Sequence, residues 1–224
     1  MIRDKLPINW IHIYDSLRFE VKTSLGRTFQ KKLTLLKSDY LHVGCGDSLL
    51  DGFLNTDAFT NNKADYRIDL RFPLPFENSS FQGIYAHHVV EHLTYENARF
   101  FFQEAKRILK NGGTLRIVVP DAEKFIKKYI QSSHDPNFPA SLIPEWHRSP
   151  EWQTSLEVLD HVFRDNYFNQ HLSAWDFYTL NHRLKETGFK EIRQVECGIS
   201  NDQKLCNLDK EDWQDQSVYV EAKV

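Results

Sequence analysis

Tyr40-Leu41-His42-Val43 is a short apolar run that ends in Gly44-Cys45-Gly46, and acids close the next two apolar runs, at Asp57 and Asp69. A buried strand entering a glycine turn reads this way. The second run is Phe53-Leu54-Asn55-Thr56-Asp57 and the third is Tyr66-Arg67-Ile68-Asp69-Leu70. Phe81 to Ala86 is a fourth strand, and Thr114 to Val119, closed by Pro120-Asp121, is a fifth. Between them lies a helix capped by Thr94, with Ala98, Phe101, Phe102, Ala105, Ile108 and Leu109 as its apolar stripe and Asn111-Gly112-Gly113 as its stop. Asp176 to Thr187 reads as another helix, stopped by Gly188, and Lys190 to Cys197 and Ser217 to Val224 read as two last strands. Strands alternating with helices predict an α/β fold of about seven strands, mostly parallel, with right-handed crossovers.

This alternation assigns residues 39–224 to one domain. The stretch at about 131–174, rich in Trp, His, Pro and Phe without clear periodicity, is read as a lid-like insertion. Residues 1–38 form a basic helical extension in which Leu17, Val21, Leu25 and Phe29 recur at four-residue steps. Met1 to Lys37 carries eight basic and three acidic residues, although the whole chain has a net charge of −3. A solvated helix face is the favoured reading of that surplus, ahead of a patch for an anionic partner. The near-balance of the whole argues against a chain built to coat nucleic acid or an anionic membrane. No apolar run is long enough to span a bilayer, and no apolar leader follows Met1, so a cytoplasmic protein without membrane insertion is expected. Cys45, Cys197 and Cys206 are too widely spaced for a disulfide framework or a CxxC zinc site.

In open α/β sheets ligands bind at the carboxyl ends of the strands, where strand order reverses. Gly44 and Gly46, Asp57, Asp69 and the pair His87-His88 all fall at such ends. The glycines would let the backbone pass close to a ligand; Asp57 suits a ribose diol and Asp69 an exocyclic amine. A dinucleotide is disfavoured. The third glycine of its fingerprint is missing (Ser48-Leu49 stands there), and Asp57 follows Gly46 by only 11 residues, where a dinucleotide site places its acid about 20 on. A nucleoside without phosphates needs no such helix.

Leu41-His42-Val43-Gly44-Cys45-Gly46-Asp47, Asn55-Thr56-Asp57, Asp69-Leu70…Leu74-Pro75-Phe76, His88-Val89-Val90-Glu91-His92-Leu93 and Arg107-Ile108-Leu109-Lys110-Asn111-Gly112-Gly113 together resemble class I S-adenosylmethionine-dependent methyltransferases. The nearest subgroup is that of predicted methyltransferases associated with surface-polysaccharide biosynthesis. Its C-terminal pattern is similar to His171…Trp175, Leu184…Gly188-Phe189 and the closing Ser217 to Ala222. The resemblance implies a single Rossmann-like domain whose last strand is antiparallel, with S-adenosylmethionine as cofactor. It implies that Val43, Gly44, Cys45 and Gly46 lie along the methionine moiety, that Asp57 holds the ribose, and that Asp69 and Leu70 meet the adenine. Ala86 and His87 would sit near the sulfonium. The chain departs from the pattern at His42, where relatives usually carry an acid.

A hydroxyl acceptor must lose a proton, and a positioned histidine suits that task. His88 is the first candidate for a catalytic base; His87, His147, His161 and His171 follow. His88, Glu91 and His92 stand at i, i+3 and i+4, which on a helix would suit a divalent metal. The favoured reading assigns no metal and gives Glu91 and His92 hydrogen bonds that hold the helix start. The expected acceptor is a sugar or other small hydroxylated molecule, since Trp146, Trp152 and Phe163 could cover sugar faces and His147 and His161 bind hydroxyls. Those aromatics would serve equally as a secondary core. An RNA or protein methyltransferase and a non-catalytic scaffold of the same fold are the alternatives, with nucleic acid disfavoured by the charge.

Overall fold

The computed structural model describes residues 38–58, 63–132, 152–164, 171–209 and 211–224, with a few residues between Ile13 and Ser24. Strands β1 (Tyr40–Val43), β2 (Leu54–Asp57), β3 (Tyr66–Arg67), β4 (Phe81–His87), β5 (Leu109–Pro120), β6 (Lys190–Val195) and β7 (Ser217–Lys223) form one sheet in the order β3-β2-β1-β4-β5-β7-β6. Pairing is parallel from β3 through β5, and β7 runs antiparallel to both of its neighbours. This is the mostly parallel, Rossmann-like arrangement the sequence led us to expect. Strand order reverses between β1 and β4.

Period-two alternation divides the sheet into two unlike faces. Leu41 and Val43, Ile84 and Ala86, Leu115, Ile117 and Val119, and Val218, Val220 and Ala222 make one continuous apolar core. Helix α1 (Tyr95–Ile108) packs Ala98, Phe101, Phe102, Ala105 and Ile108 against that face, and α4 (Phe177–Glu186) adds Leu180 and Leu184. Each such Leu or Phe contributes roughly 1.5–3 kcal/mol by leaving water. Thr94 caps α1 by accepting from the Asn97 amide, and Asp176 caps α4 by accepting from Thr179.

On the other face, His42, Tyr85, Arg116 and Glu221 stand in register on β1, β4, β5 and β7. A polar row across a sheet needs a polar cover. The segment between β6 and β7 supplies one. Asp209 and Glu221 pair with the fully buried Arg116 guanidinium, Ile199 O accepts from the same group at 2.8 Å, and the Tyr85 hydroxyl donates to Asp209 at 3.0 Å. Leu205 packs beside Phe53, Tyr85, Val118 and Tyr219 in the same layer.

Four local expectations change. The third strand shortens to Tyr66–Arg67, because the Asp69 carboxylate accepts the Arg71 amide and Phe72 N donates to Asp69 O, turning the chain out of the sheet. Helix α1 stops at Ile108, not at the glycines. Ser79 N and Ser80 N donate to the carbonyls of Arg107 and Ile108, which frees Leu109 to begin β5. Two helices stand where no periodicity was read: α2 (Ala122–Ser132) and α3 (Ser155–Arg164). They share a small core of Phe125, Val158 and Val162, with Tyr129, Trp152 and Phe163 against it. The rest of the expected insertion, 133–151 and 165–170, lies outside the described residues, as do Leu25 and Phe29. Leu17 and Val21 are helical and exposed. Among the described residues no helix is long and apolar enough to cross a membrane.

Candidate functional site

A cavity of about 380 Å³ opens at the reversal between β1 and β4. The turn after β1 forms part of its wall. Gly44 and Gly46 hold φ of +64° and +50°, a region that strains any side chain. A Cβ on Gly44 would stand 2.4 Å from Val89 Cγ2, while one on Gly46 would meet nothing within 4 Å. The Gly46 amide donates to Asp57 Oδ2 at 2.9 Å, and Cys45 N donates to Thr56 O at 3.0 Å, so the end of β2 fixes the turn. Burial, with Asp57 beside it, pushes the Cys45 thiol up to about 11, so it stays protonated near neutral pH.

The cavity wall includes Gly44, Cys45, Gly46, His87 and His88. Val43 is buried beneath the turn in the apolar core. Asp57 stands one hydrogen bond behind the wall, through Gly46. Asp69 and Leu70 are buried outside it, and the Asp69 carboxylate accepts from Arg71 Nε at 3.0 Å and from Arg71 Nη2 at 2.9 Å. His42, which replaces the usual acid, lines the wall with its Nδ1 3.1 Å from Asn55 Oδ1.

His88 follows β4 with φ of +51°, and its amide donates to Val118 O at 2.9 Å. A non-glycine residue in this region stores about 1–3 kcal/mol, strain that persists where surroundings over-determine it. Its ring is engaged at both nitrogens. Nδ1 lies 3.1 Å from Glu91 Oε1 and Nε2 lies 3.0 Å from Ser217 Oγ, while Trp213 packs at 4.9 Å between centroids. The segment Val90–His92 is a 3-10 turn, so His88, Glu91 and His92 do not share an α-helical face.

Glu91 is 1% exposed. Burial pushes its carboxyl up, but the His88 ring beside it, with His92 and His171, outweighs this and holds it at about 2. The Glu91 carbonyl accepts from Leu172 N at 2.8 Å and Ser173 N at 3.2 Å, which brings His171 against His92 at 5.0 Å between ring centroids. The Glu91 backbone thus holds Leu172 and Ser173, while its side chain meets His88. Sequence reasoning did not place Tyr85, Phe125, Leu208, Trp213 or Gln216 on the wall, since they come from three separate segments. Of the aromatic and histidine-rich stretch, His161 and Val162 reach the wall, whereas Trp152 and Phe163 pack into the small core. Trp146 and His147 lie outside the described residues.

Residues 54–117 match the family described as methyltransferase domain, a match that indicates S-adenosylmethionine as the cofactor. Over 130 residues the chain is 30% identical to an uncharacterised protein of Methanocaldococcus jannaschii, a stretch covering 52% of this chain and 54% of that protein. The chain therefore spans about half the length of the curated relative it matches. Similar solved structures include S-adenosylmethionine-dependent methyltransferases of Thermotoga maritima and Methanosarcina mazei. The first is 13% identical with a TM-score of 0.49, covering 92% of this chain and 90% of that one. The second is 16% identical with a TM-score of 0.47, covering 84% of this chain and 93% of that one. Strand order and register, not these distant similarities, carry the fold.

Proposed function

We propose that this protein transfers the methyl group of S-adenosylmethionine to a hydroxyl of a sugar or other small acceptor in polysaccharide or glycoconjugate assembly. The observation that carries the reading is a cavity at the strand reversal lined both by a glycine turn and by histidines. The methyltransferase-domain match supports the transfer. The acceptor class rests on the resemblance of the C-terminal pattern and on the histidines in the wall.

The residues present fit the cofactor. Gly46 leaves open space where a Cβ would stand, and the cavity falls within the roughly 300–1,000 Å³ usual for small-ligand sites. Gly44, Cys45 and Gly46 would hold the amino-acid portion, and Asp57, anchored by the Gly46 amide, would accept from the ribose. His87 stands at the C-terminal end of β4, next to the reacting centre in this reading. Asp69 and Leu70 would reach an adenine only from behind the present wall, with Arg71 sharing the carboxylate. When bound, the sulfonium supplies an electrophilic methyl carbon. Alignment of an acceptor with that carbon is the larger part of catalysis, worth up to about 7–11 kcal/mol in favourable cases.

His88 takes the proton of the acceptor hydroxyl. Glu91 at Nδ1 favours the tautomer that leaves Nε2 as proton acceptor, facing Ser217 Oγ at 3.0 Å in the structure. The buried Glu91 carboxylate then stabilises the charged ring, as an orienting acid does in a hydrolase triad.

Calorimetric titration with S-adenosylhomocysteine, with NAD as the control, tests the cofactor. Wild type should bind the first and not the second, and Asp57→Ala should bind it at least about tenfold more weakly, since the ligand loses a charged acceptor. An unchanged affinity in that variant would move the site elsewhere. His88→Ala should keep cofactor binding and lower turnover on a hydroxylated sugar about 10²–10⁴-fold. A loss under tenfold would remove His88 as the base.

A further inference from the structure

We propose that Glu91, His92 and His171 form a binding site for one divalent cation of the zinc class, set in the wall of the cavity. A carboxylate oxygen of Glu91 and one ring nitrogen from each histidine lie within 4.8 Å of one another. Tetrahedral zinc at bond lengths near 2.0–2.1 Å places its donors roughly 3.4 Å apart, so side-chain adjustments alone would close the set.

Three further features favour this. Glu91 is buried, yet its Oε2 has no hydrogen-bond partner; an ionised oxygen in that position is costly unless something positive meets it. His171 Nδ1 lies 2.6 Å from the Val162 carbonyl. A carbonyl accepts only, so Nδ1 carries the proton and Nε2 is left as a lone-pair donor. Backbone-anchored histidines bind metals in this way. His88 Nδ1 meets the other Glu91 oxygen, which orients the carboxylate from outside the set. Two imidazoles and one carboxylate suit zinc and its neighbours better than magnesium or calcium, which prefer all-oxygen shells.

All three residues line the same cavity as the glycine turn. Three protein donors leave at least one coordination position open, as catalytic zinc sites do. Resting on the reading above, that position would take the acceptor's hydroxyl oxygen and lower its proton affinity beside His88.

The test uses the full chain, freed of metal with a chelator and dialysed, then titrated with Zn²⁺ by calorimetry and with Co²⁺ by visible absorption. Wild type should take up one ion per chain and give the Co²⁺ spectrum of a nitrogen-oxygen site. Glu91→Gln, His92→Ala and His171→Ala should each weaken binding at least about tenfold, as loss of a ligand or its support does. His182→Ala removes an exposed histidine that faces Glu186 at 3.3 Å and should bind as wild type does. Circular dichroism checks each fold, and His171→Gln replaces His171→Ala if the latter does not fold. No uptake by wild type, or uptake unchanged in all three ligand variants, overturns the proposal. S-adenosylhomocysteine binding, measured on the same samples, separates the outcomes: intact nucleoside binding without metal uptake overturns the cation site alone. Metal uptake without nucleoside binding overturns the methyl-transfer reading instead.

Discussion

At the scale of single residues, the two glycines after β1 do different work. Gly44 combines φ of +64° with a Cβ position 2.4 Å from Val89, so Gly44→Ala should both destabilise the fold and abolish nucleoside binding. Gly46 has the strained φ but open space. Gly46→Ala should cost only about 1–2 kcal/mol in denaturant unfolding. Gly46 lines the cavity, however, so in the proposed site the added methyl should lower S-adenosylhomocysteine affinity by more than that strain accounts for. Equal affinity in Gly46→Ala would mean that the ligand does not use the turn. The positions of the glycines and His88 on the cavity wall, and of Asp57 one hydrogen bond behind it, follow from strand ends and turn residues, which are local features. Asp69's partnership with Arg71, two residues on, was not legible, since a carboxylate at a strand end is equally suited to a ligand and to a neighbouring guanidinium.

Among the elements, the segment between β6 and β7 is the least conventional. Asp209 accepts from the buried Arg116, from the Tyr85 hydroxyl and from Gly198 N, and Leu208 and Trp213 beside it close one side of the cavity. Asp209→Ala should destabilise by about 3–5 kcal/mol, the usual result of stripping a partner from a buried charge. Asp209→Asn, which keeps an acceptor, should cost less. Chemical denaturation of both variants is the check; a loss under about 1 kcal/mol for the alanine would show that Glu221 suffices to neutralise Arg116. Helices α1 and α4 were readable from their caps and stripes. Helix α3 carries Ser155, Val158 and Val162 on its buried side, a spacing of three and four that was present but hidden among Trp and His residues. The early end of α1 was not readable, because the groups that cap its last carbonyls are the amides of Ser79 and Ser80, about thirty residues upstream.

For the molecule as a whole, the cavity joins residues from β1, β4, the loop after β4, α2, α3 and the β6–β7 segment. A ligand seated there should therefore stabilise the entire fold. S-adenosylhomocysteine at a hundred times its dissociation constant should add about 2.7 kcal/mol. In a chain of this size that raises Tm by ~5–10 °C, read by differential scanning calorimetry. Binding without a shift would mean that the unfolded chain takes up the ligand equally well, so that the folded cavity is not what holds it. Periodicity, turn chemistry and strand ends are short-range properties, so the seven-strand alternation, the strand reversal and the glycine turn on the cavity wall could be read along the chain. Tertiary structure alone decided that Arg116 would be neutralised from a loop some ninety residues away, and that His171 would close on Glu91 and His92. Such partnerships depend on which buried charge or lone pair is left unmatched once the sheet has formed. That remainder is fixed by packing, not by spacing along the chain.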